Sequence, residues 1–196
     1  MQETPNENII KAALINHYVK HNSKCFSICN ELTISTENKI ADIVICKENS
    51  SYVFEIKAWN DDFRRLESQI SAYNKIFNYT YIITTSNHIE QLKELPLNIG
   101  IILFSDKQNF IYKRKADKNI NIDISEVLSS MPLSFIREEL HMPQYKQSDQ
   151  RMITLKKAQK IFLKYLQSRA RWKSEELTYT LHFEDILKNT DYVKLL

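Results

Sequence analysis

Glycine is nearly absent from this chain of 196 residues and occurs once, at Gly100. Nucleotide-binding loops of the GxxxxGK[ST] type and dinucleotide-binding GxGxxG turns both need several glycines, because their backbone N–H groups must approach phosphates closely. A Walker-type nucleotide site and a standard Rossmann fingerprint are therefore excluded.

Cysteine is also sparse, with three residues at Cys25, Cys29 and Cys46. Their spacing differs from that of zinc fingers and no histidine pair stands nearby in the sequence, so we expect core thiols rather than a zinc site. An odd number of cysteines, together with a polar N-terminus that lacks the features of a signal peptide, predicts a reducing, cytoplasmic location.

Long apolar runs are missing as well. No uninterrupted stretch is long enough to span a bilayer, and we expect no membrane association. Hydrophobic residues make up 43% of the chain and charged residues 26%, which is typical of a soluble globular protein. The net charge of +3 is compatible with a nucleic-acid partner but does not identify one.

Two neighbouring segments, residues 40–45 and 52–57, have the β-branched and aromatic composition of strands. A polar stretch at residues 47–50 separates them, and as a four-residue loop it predicts a hairpin. The predicted cross-strand pairs are Cys46–Ser51, Val44–Val53, Asp42–Glu55 and Ile40–Lys57. Because side chains alternate along a strand, Asp42, Glu55 and Lys57 fall on one face.

Both faces of this hairpin are predicted to be covered. The acids share their face with apolar residues, Ile40, Val44 and Val53; the opposite face holds Ala41, Ile43, Ile45, Tyr52, Phe54 and Ile56. Two facing carboxylates with Cβ atoms about 5 Å apart repel each other, and burial raises the cost. A proton or a divalent cation such as Mg²⁺ would relieve that repulsion. The competing interpretation is a solvated sheet face on which the charges have no special role.

The remaining patterns predict further helices and strands around the hairpin. In chain order they are a helix at 7–21, a strand at 24–34, a helix at 61–78 capped by Asn60 or Asp61, a strand at 79–85, a short helix at 87–95, and strands at 99–104 and 109–114. An antiparallel hairpin and a helical crossover would then share one mixed sheet, which indicates an α/β fold. From about residue 125 onward the chain is predicted to be helical throughout, with its longest helix at 153–171.

Within the order α-β-β-β-α-β, Asp42 followed by Glu55-Ile56-Lys57 resembles the PD-(D/E)XK nuclease superfamily. The similarity extends to a group of short bacterial proteins in which E-I-K is followed by an acidic residue, an Arg-Leu pair, Gln and Tyr. In this chain those later positions are Arg65-Leu66, Gln69 and Tyr73. The resemblance is good over residues 31–86 and weaker over 7–30. It implies a restriction-endonuclease-like core at 1–115, followed by a mainly helical extension at 116–196.

The resemblance also implies a metal-dependent nuclease. Asp42, Glu55 and the carbonyl of Ile56 would hold Mg²⁺ or Mn²⁺, Lys57 would hold the attacking water or stabilise phosphorane charge, and Gln69 would orient Lys57 or the water. The substrate implied is DNA more than RNA, in defence against foreign DNA or in repair. A homodimer is left open.

A further acid is expected near the first helix or strand, and two residues compete for that role. Glu31 is favoured because it is closer in sequence to the hairpin, while Glu7 opens the first helix. A solvent-facing side chain remains the alternative for both. Tyr73 fits the apolar side of its helix, so core packing is the favoured interpretation for it.

Basic residues on two helices are candidate phosphate contacts: Arg64, Arg65, Lys156, Lys160 and Lys164. The three lysines recur at a spacing of four, opposite an apolar helix face. A solvated helix face is the competing interpretation of both groups, and phosphate contacts would carry no base information. The alternative function is a catalytically inactive protein of the same fold that binds nucleic acid or acts in regulation.

Overall fold

The computed structural model describes residues 5–21, 25–34, 39–177 and 180–187. The strands are β1 (Phe26–Ile34), β2 (Lys39–Lys47), β3 (Ser50–Lys57), β4 (Tyr79–Thr84), β5 (Gly100–Phe104), β6 (Phe110–Arg114) and β7 (Trp172–Lys173). The α-helices are α1 (Glu7–His21), α2 (Leu66–Asn74), α3 (Ile124–Ser129), α4 (Leu133–Leu140), α5 (Leu155–Arg169) and α6 (Phe183–Leu187). Two 3₁₀ helices span Ser86–Leu92 and Gln147–Met152. Some predicted features lie outside the described residues. They are the start of the predicted strand at residue 24, the first four residues of the predicted core, and residues 188–196 of the predicted helical extension.

A seven-stranded mixed sheet organises the molecule, in the order β6-β5-β4-β3-β2-β1-β7. Strands β3, β4 and β5 run parallel to one another, and the other neighbouring pairs are antiparallel. Helix α2 lies in the β3–β4 connection, as a parallel pair requires a crossover. The α/β class and the element order α1-β1-β2-β3-α2-β4 agree with the sequence prediction.

The hairpin register agrees along the observed ladder, since Val44 pairs with Val53 and Cys46 with Ser51. The predicted pairs Asp42–Glu55 and Ile40–Lys57 are not formed, because the ladder ends at Ile43–Phe54. The predicted four-residue loop is too long, however. Lys47 and Ser50 pair with each other, which leaves a two-residue turn in which Glu48 adopts a φ of 56°. Positive φ near a tight turn matches the strand twist, so the strands continue closer to the turn than polarity suggested.

Three hydrophobic clusters contact the sheet, and the smallest of them joins α2 to β4 and β5 through Ile70, Ile82 and Ile101. The first contains Val44, Val53, Tyr73, Phe77 and Phe162 and takes its other members mainly from β1, α2 and the helices after residue 120. The second contains Ile43, Ile45, Phe54 and Ile56, together with α1 and residues Trp172, Leu177, Leu181 and Ile186. The first cluster draws residues from both sides of position 115, and the two-region division stays a prediction.

The alternation of side chains between the two sheet faces is interrupted at Glu31, which lies opposite Asp42. The ladder passes from Asn30–Ile43 to Leu32–Ala41, and Glu31 has a left-handed backbone with φ of 51°. Leu32 and Ala41 consequently pack in the first cluster. The prediction that Ala41 shares a face with Ile43 is therefore wrong, since Ile43 packs in the second cluster.

The exposure of Ile40 differs from the prediction. Its side chain was predicted to be covered, yet Ile40 is 52% exposed. The start of β2 borders an open cavity rather than a packed layer, and Ile40 lines that cavity.

Helix α2 is shorter than the predicted 61–78, and neither Asn60 nor Asp61 caps it. Arg65 is the N-cap residue and makes no side-chain capping bond. Asp61 instead accepts a hydrogen bond from the Ala58 N–H at 2.8 Å, which closes a turn directly after β3. This turn uses the side chain that was predicted to start the helix, because Asp bonds nearby backbone as readily as a helix terminus.

The region after residue 125 is not helical throughout, because β7 adds a strand to the edge of the sheet. Trp172 pairs with Ile28, and Lys173 pairs with Ser27. The Arg171 N–H donates to the Ile28 carbonyl at 2.8 Å, so backbone groups of β1 gain partners that an edge strand would lack. Helix α5 accordingly ends at Arg169, before the predicted end at 171.

Among the described residues, every helix is either too short or too polar to cross a membrane.

The chain's single glycine permits a close approach between β5 and its surroundings. A Cβ atom at Gly100 would collide with the Tyr81 ring and would lie 2.9 Å from the Ala116 backbone nitrogen. We expect Gly100→Ala to lower the free energy of unfolding by about 1–3 kcal/mol, the usual cost of overpacking. Urea unfolding followed by circular dichroism measures this change. Leu97→Ala is the control, since Leu97 is 79% exposed, and equal stability of the two variants would contradict the prediction.

Candidate active site

A cavity of about 560 Å³ lies where β2 and β3 separate, beside the start of α2. Six acidic residues, three basic residues and four others line it: Glu7, Glu31, Asp42, Glu55, Asp61, Asp62, Lys39, Lys57, Arg65, Ile40, Ile56, Asn60 and Gln69. All the residues predicted to be catalytic or to bind a metal are among them. Both candidates for the additional acid, Glu7 and Glu31, also reach this cavity.

Asp42 sits at the point where the hairpin ladder ends. The last paired residues are Ile43 and Phe54, so Asp42 and Glu55 come next on the two strands. The Ile56 N–H donates to Asp42 Oδ2 at 2.7 Å. This carboxylate therefore takes the place of a backbone acceptor on β2, and the two acidic side chains converge on one cavity.

Glu55 is almost fully buried, with 2% of its surface exposed. Its Oε1 accepts hydrogen bonds from Lys57 Nζ at 2.8 Å and from Gln69 Nε2 at 2.5 Å. The Tyr73 hydroxyl lies 2.7 Å from Glu55 Oε2. Three side chains thus satisfy a carboxylate that has no access to bulk water.

The ammonium of Lys57 is held from two sides. Besides Glu55, its Nζ donates to Gln69 Oε1 at 3.2 Å, so the Gln69 amide bridges both members of the ion pair. Gln69 and Tyr73 stand four residues apart on α2 and share a helix face. Tyr73 was expected to be a core residue, and the structure gives it both roles, since it is fully buried and its hydroxyl reaches Glu55.

Burial raises the pKa of Asp42 well above its ordinary value, and the nearby carboxylates of Glu55 and Glu7 raise it further. The Lys11 ammonium and the Ile56 N–H act in the opposite direction without cancelling the rise. The rise has the cause expected for a buried carboxyl beside other carboxylates, since burial and like charges both disfavour its ionised form.

Lys11 was not predicted to belong to the site, and its side chain is fully buried. Its Nζ lies 2.5 Å from Glu7 Oε1 and 3.1 Å from Glu31 Oε1. Burial lowers the pKa of Lys11, but the carboxylates of Asp42, Glu7 and Glu31 outweigh it and leave the pKa raised. One sequence signal was available: Glu7 and Lys11 are four residues apart, in a helix whose neighbouring positions are apolar.

The candidate phosphate contacts are distributed unevenly. Arg65 lines the cavity, whereas Arg64 is 88% exposed and pairs with Asp62 at 2.7 Å. Lys156 and Lys160 are exposed on α5, and Lys164 pairs with Glu139 at 2.5 Å. Exposed pairs such as these contribute little to stability, so they leave the arginine and lysine side chains available for exchange with a phosphate.

Within the part of the chain that the structure describes, no three side chains of His, Cys, Asp and Glu are grouped so as to hold a metal ion. Of the carboxylates that line the cavity, Asp42 and Glu55 lie on adjacent strands, whereas Asp61 accepts from the Ala58 N–H and Asp62 from Arg64. Glu7 and Glu31 already share the Lys11 ammonium.

The raised pKa of Asp42 predicts the pH dependence of stability. Folding favours protonated Asp42, so the wild-type protein loses stability as the pH rises from about 4, the ordinary Asp value, through the raised pKa. Asp42→Asn keeps an oxygen that accepts from Ile56 and cannot ionise. We expect its free energy of unfolding to exceed that of the wild type by a margin that grows with pH. Urea unfolding between pH 4 and 8 with a chelator present measures this margin, and a margin that stays constant or shrinks would contradict the prediction.

Three comparisons with known proteins bear on the chain as a whole. One solved structure that matches is a protein of unknown function from Silicibacter pomeroyi, with 14% sequence identity and a TM-score of 0.49; the match covers 74% of this chain and 97% of that protein. No curated protein matches the chain. The sequence profile described as bacteriophage P4 protein cII matches residues 1–191. The chain therefore belongs to the bacteriophage P4 protein cII family.

Proposed function

We propose that this protein is a metal-dependent nuclease that hydrolyses phosphodiester bonds, of DNA more than RNA, in defence against foreign DNA or in repair. The observation that carries the proposal is the convergence of Asp42, Glu55, Lys57 and Gln69 in one cavity. We further propose that α1-β1-β2-β3-α2-β4 is a restriction-endonuclease-like core, because the acid and the E-x-K stand on its second and third strands.

The charge of the cavity supports a cation requirement. Six carboxylates and three basic side chains line it, so its formal charge is negative when all of them are ionised. An anionic phosphodiester would be repelled from such a surface. A divalent cation lowers this repulsion, so we expect substrate binding to depend on metal binding.

The donor set fits a hard divalent ion. Asp42, Glu55 and the carbonyl of Ile56 would hold Mg²⁺ or Mn²⁺, both of which take carboxylate and carbonyl oxygens. A residue's N–H and C=O point to the same side of an extended strand, and the Ile56 N–H points to Asp42. When bound, the ion would polarise the scissile phosphate and lower the pKa of a bound water.

The protein's own side chains would position the water, the acids and the developing charge. The Lys57 ammonium, fixed by Glu55 and Gln69, holds the attacking water or stabilises the negative charge that develops on the phosphorane. Gln69 positions both members of that ion pair. Tyr73 fixes the other oxygen of Glu55, so the carboxylate is oriented before substrate arrives.

A second candidate function is a catalytically inactive protein of this fold that binds nucleic acid or acts in regulation. It is favoured by the donors around Glu55, since three of the roughly four lone-pair positions of its carboxylate already accept hydrogen bonds from side chains. In that case Lys57 would serve as the resident cation of the site, and no divalent ion would be needed.

Cleavage of supercoiled and linear DNA in Mg²⁺ or Mn²⁺ tests the nuclease proposal. We expect the wild type to cleave, and Asp42→Asn and Lys57→Met each to lower the rate by at least about 100-fold, the scale for losing one group that stabilises a transition state. Asp106→Asn and Lys107→Met are matched controls in the exposed β5–β6 turn and should keep the wild-type rate.

Two outcomes would count against a nuclease at this cavity. Cleavage that survives both Asp42→Asn and Lys57→Met would place any activity elsewhere. Binding of DNA without cleavage, unaffected by the divalent ion, would favour the inactive alternative.

The lysines of α5 generate a prediction about salt dependence. If Lys156 and Lys160 contact phosphates, replacing both by Ala should lower the slope of log affinity against log salt concentration by about 2, close to one per contact. Fluorescence anisotropy with a labelled duplex at several salt concentrations measures this slope. The double variant Lys107→Ala and Lys113→Ala, at the far edge of the sheet, is the control. An unchanged slope in the α5 variant would show that this face is merely solvated.

A further inference from the structure

Lys11 is a buried charge that the proposed reaction does not use. Its side chain has no exposed surface, although Glu7 and Glu31 beside it are 42% and 29% exposed. Its helix neighbours Ile10 and Leu14 are buried in the second cluster, and its Nζ pairs with both Glu7 and Glu31. The charge is therefore a fixed part of the site.

Glu7 and Glu31 are the carboxylates that a second metal ion would need. Two-metal phosphodiesterases hold their ions about 3.5–4 Å apart, with carboxylates on both. Here the Oε1 atoms of both residues are directed to Lys11 Nζ, and the left-handed backbone of Glu31 fixes that side chain opposite Asp42.

The formal charges around Lys11 also favour a single divalent ion. Four carboxylates, those of Glu7, Glu31, Asp42 and Glu55, surround the two ammonium groups of Lys11 and Lys57 and leave two negative charges. With all four acids ionised, one divalent ion neutralises this group, whereas two would leave it positive.

We propose that Lys11 is a positioning residue whose ammonium takes the place of a second divalent ion, so that the site holds one ion at Asp42 and Glu55. This inference rests on the proposed metal-dependent function. Removing the Lys11 charge frees Glu7 and Glu31 to bind a second ion together with Asp42.

Counting bound Mn²⁺ per chain by isothermal titration calorimetry and electron paramagnetic resonance tests this inference. We expect one ion for the wild type and two for Lys11→Met, which keeps the length and apolar stem of the side chain. Adding Glu31→Gln to Lys11→Met should return the count to one. Lys20→Met, an exposed lysine on the same helix, is the control and should bind one ion.

Each result decides a separate question. A wild-type count of two overturns the role of Lys11 even if Lys11→Met fails to fold. A count of one in Lys11→Met, with a wild-type circular dichroism spectrum, overturns it as well. A wild type that binds no Mn²⁺ overturns the proposed metal-dependent function itself.

Discussion

The carboxylates of Asp42 and Glu55 follow the last paired residues of the hairpin, where strands β2 and β3 separate, and their mutual repulsion is the constraint that the surrounding side chains satisfy. The Ile56 N–H stabilises one acid, while Lys57, Gln69 and Tyr73 surround the other. Each of these donors stands on β3 or α2. The geometry of the site is therefore set by how α2 packs on the sheet, and not by flexible loops.

The helices after residue 120 take part in that packing. Tyr73 contacts Phe77 edge-on with ring centroids 6.1 Å apart, and Phe77 contacts Phe162 of α5 at 5.7 Å. A continuous line of buried rings thus runs from the C-terminal region to the hydroxyl that reaches Glu55. The resemblance to nucleases ends near residue 115, yet the residues beyond it support the helix that orients the acid.

Sequence patterns succeeded where the physical signal was local. Alternation of β-branched residues fixed the hairpin register, and the spacing of Glu55 and Lys57 placed both on the cavity, because the period of two depends only on the strand itself. The interruption at Glu31 could not be predicted, since it depends on one residue's backbone angle. β7 was missed because two residues carry no pattern and its partner β1 lies about 145 positions away in the sequence.

Lys11 was missed for a related reason, since a lysine in a helix is normally a surface residue and only tertiary partners make its burial tolerable. Its partner Glu31 is twenty positions away on a strand whose local conformation the pattern did not anticipate. The acids of the hairpin, by contrast, were recognisable because they lie on strands that are adjacent in the sequence. Buried charges whose partners are distant in sequence remain the least predictable part of such a site.

The hydrogen bonds of Glu55 and the proposed binding of a divalent ion are compatible through Tyr73. Its hydroxyl carries one proton but lies within reach of two acceptors, Glu55 Oε2 at 2.7 Å and the Ile40 carbonyl at 3.0 Å. Burial and the Glu55 charge raise the pKa of Tyr73, which keeps that proton in place. Rotation of the O–H toward Ile40 releases a lone pair of Oε2 while leaving the hydroxyl hydrogen-bonded. Three donors leave one of the roughly four lone-pair positions of the carboxylate open, on Oε2, and the turn of one hydroxyl group frees a second while Lys57 and Gln69 still hold the other oxygen.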